Sequence, residues 1–211
     1  MGLRAVGAEF AMTAYSDVVN EIMALDPNDK GGLKSRYEEF LARRQVGKEV
    51  QQLMACYQPG VESEYISRIQ SLEQKYHPTG RLLNELQGVL AQLMLKANRA
   101  TEAIALADSV LIKQDVHPTS KLQWRIMKAM ALSANHQVDD AFTLIDDISS
   151  DHADNETIVA ACIGQKAQIM LDNDRATEAH AMVRNNVEAL TGSARQQMQQ
   201  MLNQIEARMG S

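Results

Sequence analysis

The sequence predicts an all-α protein of the α-α superhelix type, a solenoid of antiparallel helix hairpins, on three observations. The pentapeptide Arg-Ala-Thr-Glu-Ala occurs at residues 99–103 and again at residues 175–179. An altered copy lies between them, so that Ala103, Ala141 and Ala179 are spaced 38 residues apart, and a fixed period in this range is typical of helical arrays. Apolar residues make up 45 % of the chain but aromatic residues only 4 %, which favours closely packed aliphatic helices over sheets.

Apolar residues at helical spacing, separated by turns rich in Pro, Gly, Asn and Asp, mark the individual helices. The predicted helices cover residues 8–25, 33–57, 61–76, 81–97, 100–114, 121–134, 138–149, 156–172, 176–189 and 193–209. Gly47 is a candidate bend within the second of them. A His-Pro-Thr motif begins at His77 and again at His117. Its proline ends one helix, and a Thr or Ser of the same turn is expected to cap the next.

The period also predicts which residues meet inside each hairpin. Twelve residues before the repeated alanines stand three more alanines, Ala91, Ala129 and Ala167. We expect both alanines of each hairpin at the helix crossing, because small side chains let two backbones approach closely. A weaker repeat is expected over residues 49–76, where Leu53 and Tyr65 replace the alanines.

This pattern resembles the tetratricopeptide repeat family, with a small residue in the first helix, alanine twelve positions later and proline after the second helix. The resemblance covers residues 49–190. The period departs from the family's usual length of about 34 residues, and most of the signature Trp, Gly and Tyr positions differ. Trp124 lies near the family's Trp position in one copy only. By this resemblance the first helices line a groove, and the chain is a non-enzymatic scaffold that binds a peptide or protein.

The groove positions implied by the resemblance combine apolar side chains with glutamines. They are Gln92 and Leu95 in the first copy, Gln123, Ile126 and Met130 in the second, and Gln168 and Leu171 in the third. Gly88 and Gly164 precede these residues in the first and third copies. Such a surface suits a peptide of mixed character. The alternative, that the chain's own N-terminal helices cover these residues, is equally compatible with the sequence.

The segments outside the array have separate interpretations. Residues 8–60 lead into the repeats, and residues 193–209 form an amphipathic capping helix with Met198, Leu202, Ile205 and Met209 on one face, as the end of an array requires. A dimerisation helix is the alternative for the latter. Residues 1–7 have the character of cloning residue, with any native leader already removed. The compartment, cytoplasmic or else periplasmic or secreted, therefore stays open.

Residues 24–37 are similar to a helical segment of some secreted bacterial proteins that also carry a thioredoxin-like domain. This likeness implies a second function, that of a helical accessory domain in an exported thioredoxin-like or envelope protein. The chain has no Cys-x-x-Cys motif, so no catalytic residue carries over.

Charge limits the classes of partner. The net charge of −6 argues against nucleic acid, whose binding needs a positive field, and no apolar stretch approaches the length of a membrane span. Acidic residues concentrate between residues 139 and 156, which we interpret as a solvated helix face. Self-association is a further hypothesis, in which this acidic stretch meets the basic residues between Lys34 and Lys48.

The sequence predicts neither catalytic chemistry nor a cofactor or metal. No two of the five histidines have the i, i+4 spacing that places two metal ligands on one helix face, and the glycine-rich and nucleophile motifs of common enzymes are missing. Cys56 and Cys162 stand in apolar helical surroundings and are expected to be buried, reduced thiols.

Overall fold

A computed structural model describes residues 30–78, 80–114 and 116–209. The predicted helix 8–25 and residues 1–7 lie outside this part of the chain. Within it, nine helices follow one another with no strand: α1 (Lys30–Ala55), α2 (Glu62–Tyr76), α3 (Gly80–Lys96), α4 (Ala100–Leu111), α5 (Pro118–Ala134), α6 (Val138–Asp151), α7 (Glu156–Asp172), α8 (Ala176–Val187) and α9 (Gly192–Met209). The predicted all-α fold is confirmed, with consecutive helices packing on one another as in an α-α superhelix.

The described part of the chain divides into two compact units between Leu106 and Ala107, so the boundary falls inside α4. In the first unit, α1 packs on α2 and α2 packs on α3. The interior side of α1 is formed by Val46, Val50 and Met54, which are fully buried. Helix α1 continues through the buried Gly47 without interruption.

The weaker repeat of the first unit replaces small side chains by large ones. Leu53 and Tyr65 are both buried. The Tyr65 hydroxyl donates a hydrogen bond to the Cys56 carbonyl oxygen at 2.7 Å, and its ring lies edge-on to that of Tyr57 at 5.3 Å. An aromatic cluster therefore occupies the position that alanines hold in the later hairpins.

The second unit contains two complete hairpins, α5 with α6 and α7 with α8. Helix α6 also packs on α7, and α9 packs on both α7 and α8. The core cluster at the C-terminal end consists of Ala160, Ala167, Met170, Ala179, Val183, Val187, Leu190, Ala194, Met198, Leu202 and Ile205. Three helices thus share one interior, to which α9 contributes Met198, Leu202 and Ile205.

Burial follows the 38-residue period. The six repeated alanines, Ala91, Ala103, Ala129, Ala141, Ala167 and Ala179, all have 0 % exposure. A second set with the same spacing, Leu86, Trp124 and Cys162, is also buried although its members differ in chemistry. The period predicted from the alanines therefore extends to positions whose residue types share only their burial.

The turns within the three hairpins have the same backbone geometry. A residue with positive φ follows each first helix: Asn98 at 57°, His136 at 62° and Asp174 at 58°. The next N–H then donates to a carbonyl five residues earlier, from Arg99 to Met94 at 2.8 Å, from Gln137 to Leu132 at 2.9 Å and from Arg175 to Met170 at 2.8 Å. This is the Schellman arrangement, which satisfies carbonyls left unpaired at a helix end.

The sequence predicts a Thr or Ser cap at the starts of α3 and α5, and Thr79, the candidate at α3, lies outside the described residues. His117 caps α5, since its Nδ1 accepts a hydrogen bond from the Thr119 N–H at 3.3 Å and Pro118 occupies the first turn. The prediction of a Thr or Ser cap is therefore wrong here, because the imidazole acts as the acceptor. At α7, Asn155 is the cap, and its Oδ1 accepts from the Ile158 N–H at 3.3 Å.

Helix α9 covers the end of the second unit. It buries Ala194, Met198, Leu202 and Ile205, but Met209, predicted on the same face, is 47 % exposed at the last turn. One period after the buried Cys162, Ile169 and Met170 stand the exposed residues Gln200, Ala207 and Arg208. By this spacing α9 corresponds to the first helix of a further hairpin. The side on which the second helix of that hairpin would pack is largely polar.

Candidate functional site

Two of the predicted partner-binding residues lie on α3 in the first unit. Gln92 and Leu95 are half-buried, one turn apart on the same side of the helix as Gly88. The opposite side of α3 is the buried one, with Leu86, Leu90 and Leu93. The predicted side of α3 is thus its less covered side.

In the second unit, α5 carries the three middle residues of the predicted set. Gln123 is exposed, Ile126 is half-buried and Met130 is 37 % exposed. Their spacing of three and four residues places them along one stripe of the helix. On the other side, Trp124 and Leu132 are buried, so α5 is anchored through one side and presents the predicted stripe on the other.

Helix α7 uses its predicted residues differently. The Gln168 side-chain nitrogen donates to Asp172 Oδ1 at 2.7 Å, and Leu171 packs against the core cluster at the C-terminal end. At Gly164, an added Cβ would lie 3.4 Å from the Cε atoms of both Met198 and Met201 of α9. The third copy is therefore partly covered by the chain's own C-terminal helix, whereas the sequence suggested covering by N-terminal helices.

An arginine and a glutamate of the repeated pentapeptide form a paired contact in both copies. The Arg99 guanidinium donates to both carboxylate oxygens of Glu102 at 2.5 and 2.6 Å, and Arg175 does the same to Glu178 at 2.8 and 2.7 Å. These bonds lower the pKa of Glu102 and of Glu178 below the usual value. The pentapeptide is therefore a structural unit that fixes the start of a second helix.

The altered copy keeps a related contact. The Gln137 side-chain nitrogen donates to Asp140 Oδ2 at 3.0 Å, and these residues stand one period after Arg99 and Glu102. Conservation of the contact across a change of residue type supports a role in shaping the turn.

A repeated ion pair that was not predicted from the sequence joins a second helix to the first helix that follows it. Lys128 of α5 lies 2.7 Å from Asp108 of α4, and one period later Lys166 of α7 lies 2.8 Å from Asp146 of α6. The Lys166 side chain is only 19 % exposed, and its ammonium group lies 5.1 Å from the centre of the Phe142 ring. The 38-residue spacing of both partners is the signal that could have revealed these pairs.

The acidic stretch at residues 139–156 is partly used in internal contacts. Besides Asp146, Asp151 pairs with Arg125 at 2.6 Å, and Glu156 accepts two hydrogen bonds from Thr191 at 3.1 and 2.6 Å. Asp139 and Asp147 are exposed, in agreement with a solvated face. The proposed meeting of this stretch with the basic residues of α1 remains a prediction.

The cysteines and histidines have structural surroundings. Cys162 is buried as predicted, and burial raises the pKa of its thiol. The prediction is wrong for Cys56, which is exposed, because α1 ends at Ala55 and Cys56 stands in the turn that follows. His180 Nε2 lies 3.0 Å from Glu206 Oε1. Across residues 30–78, 80–114 and 116–209, no group of three His, Cys, Asp or Glu side chains is placed to hold a metal ion.

No protein-family model, curated protein or solved structure gives a significant match to this chain. Among the helices that the structure describes, none combines the length and the apolar character needed to cross a membrane.

Proposed function

We propose that this chain is a non-enzymatic protein-protein interaction module, which binds a peptide or protein through the first helices of its hairpins. The observation that supports it is Met130. This large apolar side chain is 37 % exposed in the body of α5, whereas the hydrophobic side chains on the other side of that helix are buried. Methionine is adaptable and is often used where a surface accepts partners of varied shape.

The surroundings of Met130 fit a binding surface. Ile126 extends the apolar stripe along α5 and Gln123 provides an exposed amide at its end. Such a combination gives an apolar centre with a polar edge, which is the usual anatomy of an interface. Helix α5 itself is fixed by the buried Trp124 and by the ion pair between Lys128 and Asp108, so the surface is preformed and a partner would bind without ordering it first.

Helix α7 contributes a polar border to this surface in our proposal. Gln168 already bonds to Asp172 and Leu171 belongs mainly to the interior. We therefore expect truncation of Leu171 to reduce stability more than binding, and substitution of Met130 to have the opposite effect.

Methyl NMR tests the proposal directly, since the chain has twelve methionines that can be labelled with ¹³C at the methyl group. Amphipathic peptides are titrated into the full chain, and the Met130 methyl signal is expected to shift in a saturable way. Met130→Gln should weaken binding, whereas the control Met209→Gln, which alters an exposed methionine on α9, should not. Amide shifts confined to the second helices, α6 and α8, would place binding elsewhere and contradict the proposal.

A further inference from the structure

Two glycines occupy the same position in different copies of the repeat. Gly88 of α3 and Gly164 of α7 are two periods apart, and each is followed by a glutamine four residues later and a leucine seven residues later. The residue at this position in the second copy is Ile126. Only the first and third copies therefore lack a side chain here.

Side chains of α9 fill the space beside Gly164, the glycine of the third copy. Met198 and Met201, one turn apart on α9, place their Cε atoms 3.4 Å from the position that a Cβ of Gly164 would take. Gly164 is buried as a result. The missing side chain at Gly164 thus leaves space for two methionine side chains of the amphipathic helix α9, and we call this space the seat on α7.

No described residue fills the space beside Gly88, the glycine of the first copy. Between Leu86 and Met94, Gly88 and Gln92 are the only residues that are not buried. Leaving aside its own helix, Gly88 has no heavy atom of the described part of the chain within 4 Å of the position that a Cβ would take. The notch formed by Gly88, Gln92 and Leu95 therefore repeats the residue pattern of the seat on α7, but no described residue lies at its glycine as Met198 and Met201 do at Gly164.

We propose that this notch on α3 receives a methionine or leucine side chain from an amphipathic helix of a partner protein. The inference rests on the proposed function and specifies the partner, since a helix offering apolar residues three or four positions apart matches the known mode of binding to a helical surface. A thioether side chain is unbranched and fits against a bare backbone. Gln92 would contact the polar edge of that helix, and Leu95 would contact its apolar side.

A peptide of residues 192–209, acetylated and amidated at its ends, is the probe, because it carries the side chains that fill the seat at Gly164. It is titrated into the ¹⁵N-labelled full chain, together with a version in which both central methionines are replaced by glutamine. We expect a saturable shift of the Gly88 amide with the first peptide and a response at least about tenfold weaker with the second, the factor corresponding to about 1.4 kcal/mol.

Gly88→Leu fills the notch and should weaken peptide binding about tenfold or more. It is expected to fold, because the added Cβ has no heavy atom of a described residue outside its own helix within 4 Å and leucine favours a helix more than glycine does. The matched control is Ala181→Leu, which adds a similar side chain at an exposed position on α8 and should leave the affinity unchanged.

Three results would overturn the assignment. Equal binding to the Gly88→Leu chain would exclude the notch, and a response of the Met130 methyl in that experiment would leave the proposed function standing. A shift of the Gly164 amide in place of Gly88 would show that the peptide only exchanges with α9. A nuclear Overhauser contact from the Met12 or Met23 methyl to Gly88 would identify residues 8–25 of the same chain as the occupant.

Discussion

The turn residues Asn98, His136 and Asp174 show how a single backbone requirement selects several residue types. All three adopt a positive φ, which is costly for most side chains and least so for Asn, Asp and His. We expect His136→Val to lower the free energy of unfolding by roughly 1 to 2 kcal/mol, because a β-branched side chain is strained in the left-handed region. Urea denaturation measures this loss. His136→Asn, which copies the first turn, is the control and should be neutral. A Val variant as stable as the control would contradict the strain argument.

Tyr57 and Glu62 form a hydrogen-bonded pair with a predictable pH response. The Tyr57 hydroxyl donates to Glu62 Oε1 at 2.6 Å. Burial and this bond raise the pKa of Tyr57 to about 12, while the bond lowers the pKa of Glu62. The stabilisation from Tyr57 is therefore complete below its ordinary pKa of about 10 and is lost as the pH rises through the folded value. The stabilisation from Glu62 is present above its ordinary pKa and is lost as the pH falls.

Tyr57→Phe should remove both effects. Phenolate absorbance of the wild-type chain is expected to show one tyrosine titrating near pH 12, and that step should disappear in the variant. The Glu62 carboxyl signal, followed by NMR, should move toward its ordinary pKa. If the high-pH step persists in Tyr57→Phe, another tyrosine is responsible and the assignment fails.

At the scale of the helices, the repeated alanines define how closely each hairpin packs. Ala179 has 0 % exposure, whereas Ala181 in the same helix is exposed. Ala179→Leu is expected to cost about 1 to 3 kcal/mol through overpacking, and Ala181→Leu should change stability by less than about 0.5 kcal/mol, as at most surface positions. Thermal unfolding of the two variants makes the comparison. Equal melting temperatures would mean that Ala179 does not limit the approach of α7 and α8.

Several features of the helices could be predicted from the sequence because they depend on period and local chemistry. The alanine positions are an example, since each was derived from spacing alone and all are buried. Helix caps follow less directly from residue type. The cap of α5 came from His117, a residue whose acceptor nitrogen depends on its tautomer and is not evident from residue type.

The packing of α9 over Gly164 in the third copy could not be predicted from local sequence. It depends on how Met198 and Met201 of α9 approach Gly164, and this approach is set by tertiary packing. The ion pairs were hidden for a different reason. Asp108 and Lys128 are separated along the chain, and only the joint repetition of both residues after one period links them.

At the scale of the whole molecule, the repeat behaves as a module within the second unit. The turn geometry, the buried alanines and the ion pair between hairpins all recur after 38 residues, and arrays of this kind owe their stability to each repeat and its neighbour contacts. Removing residues 136–173 would therefore join Asn135 to Asp174 in an equivalent turn, with α5 taking the place of α7 beside α8 and α9.

In this shortened chain, α9 would pack against larger side chains than it does in the full-length chain. Helix α9 would then face Ile126 and Leu122 in place of Gly164 and Ala160. The Cε atoms of Met198 and Met201 already lie 3.4 Å from where a Cβ at Gly164 would stand, so the further atoms of an isoleucine would meet them. We expect the deletion to lose about 1 to 3 kcal/mol through overpacking at this contact, beyond the loss of one repeat.

The pair Leu122→Ala with Ile126→Gly distinguishes this explanation from a general loss of stability. In the shortened chain the pair should restore the docking of α9 and raise the midpoint of urea denaturation. In the full-length chain the same pair of substitutions should lower the midpoint of urea denaturation. A glycine within a helix costs about 1 kcal/mol relative to alanine, and α9 does not pack on residue 126 in that chain, so its docking does not improve. An opposite sign in the two chains is the expected result. The same sign in both would show that α9 does not recognise the Gly164 position, and that its docking depends on α8 alone.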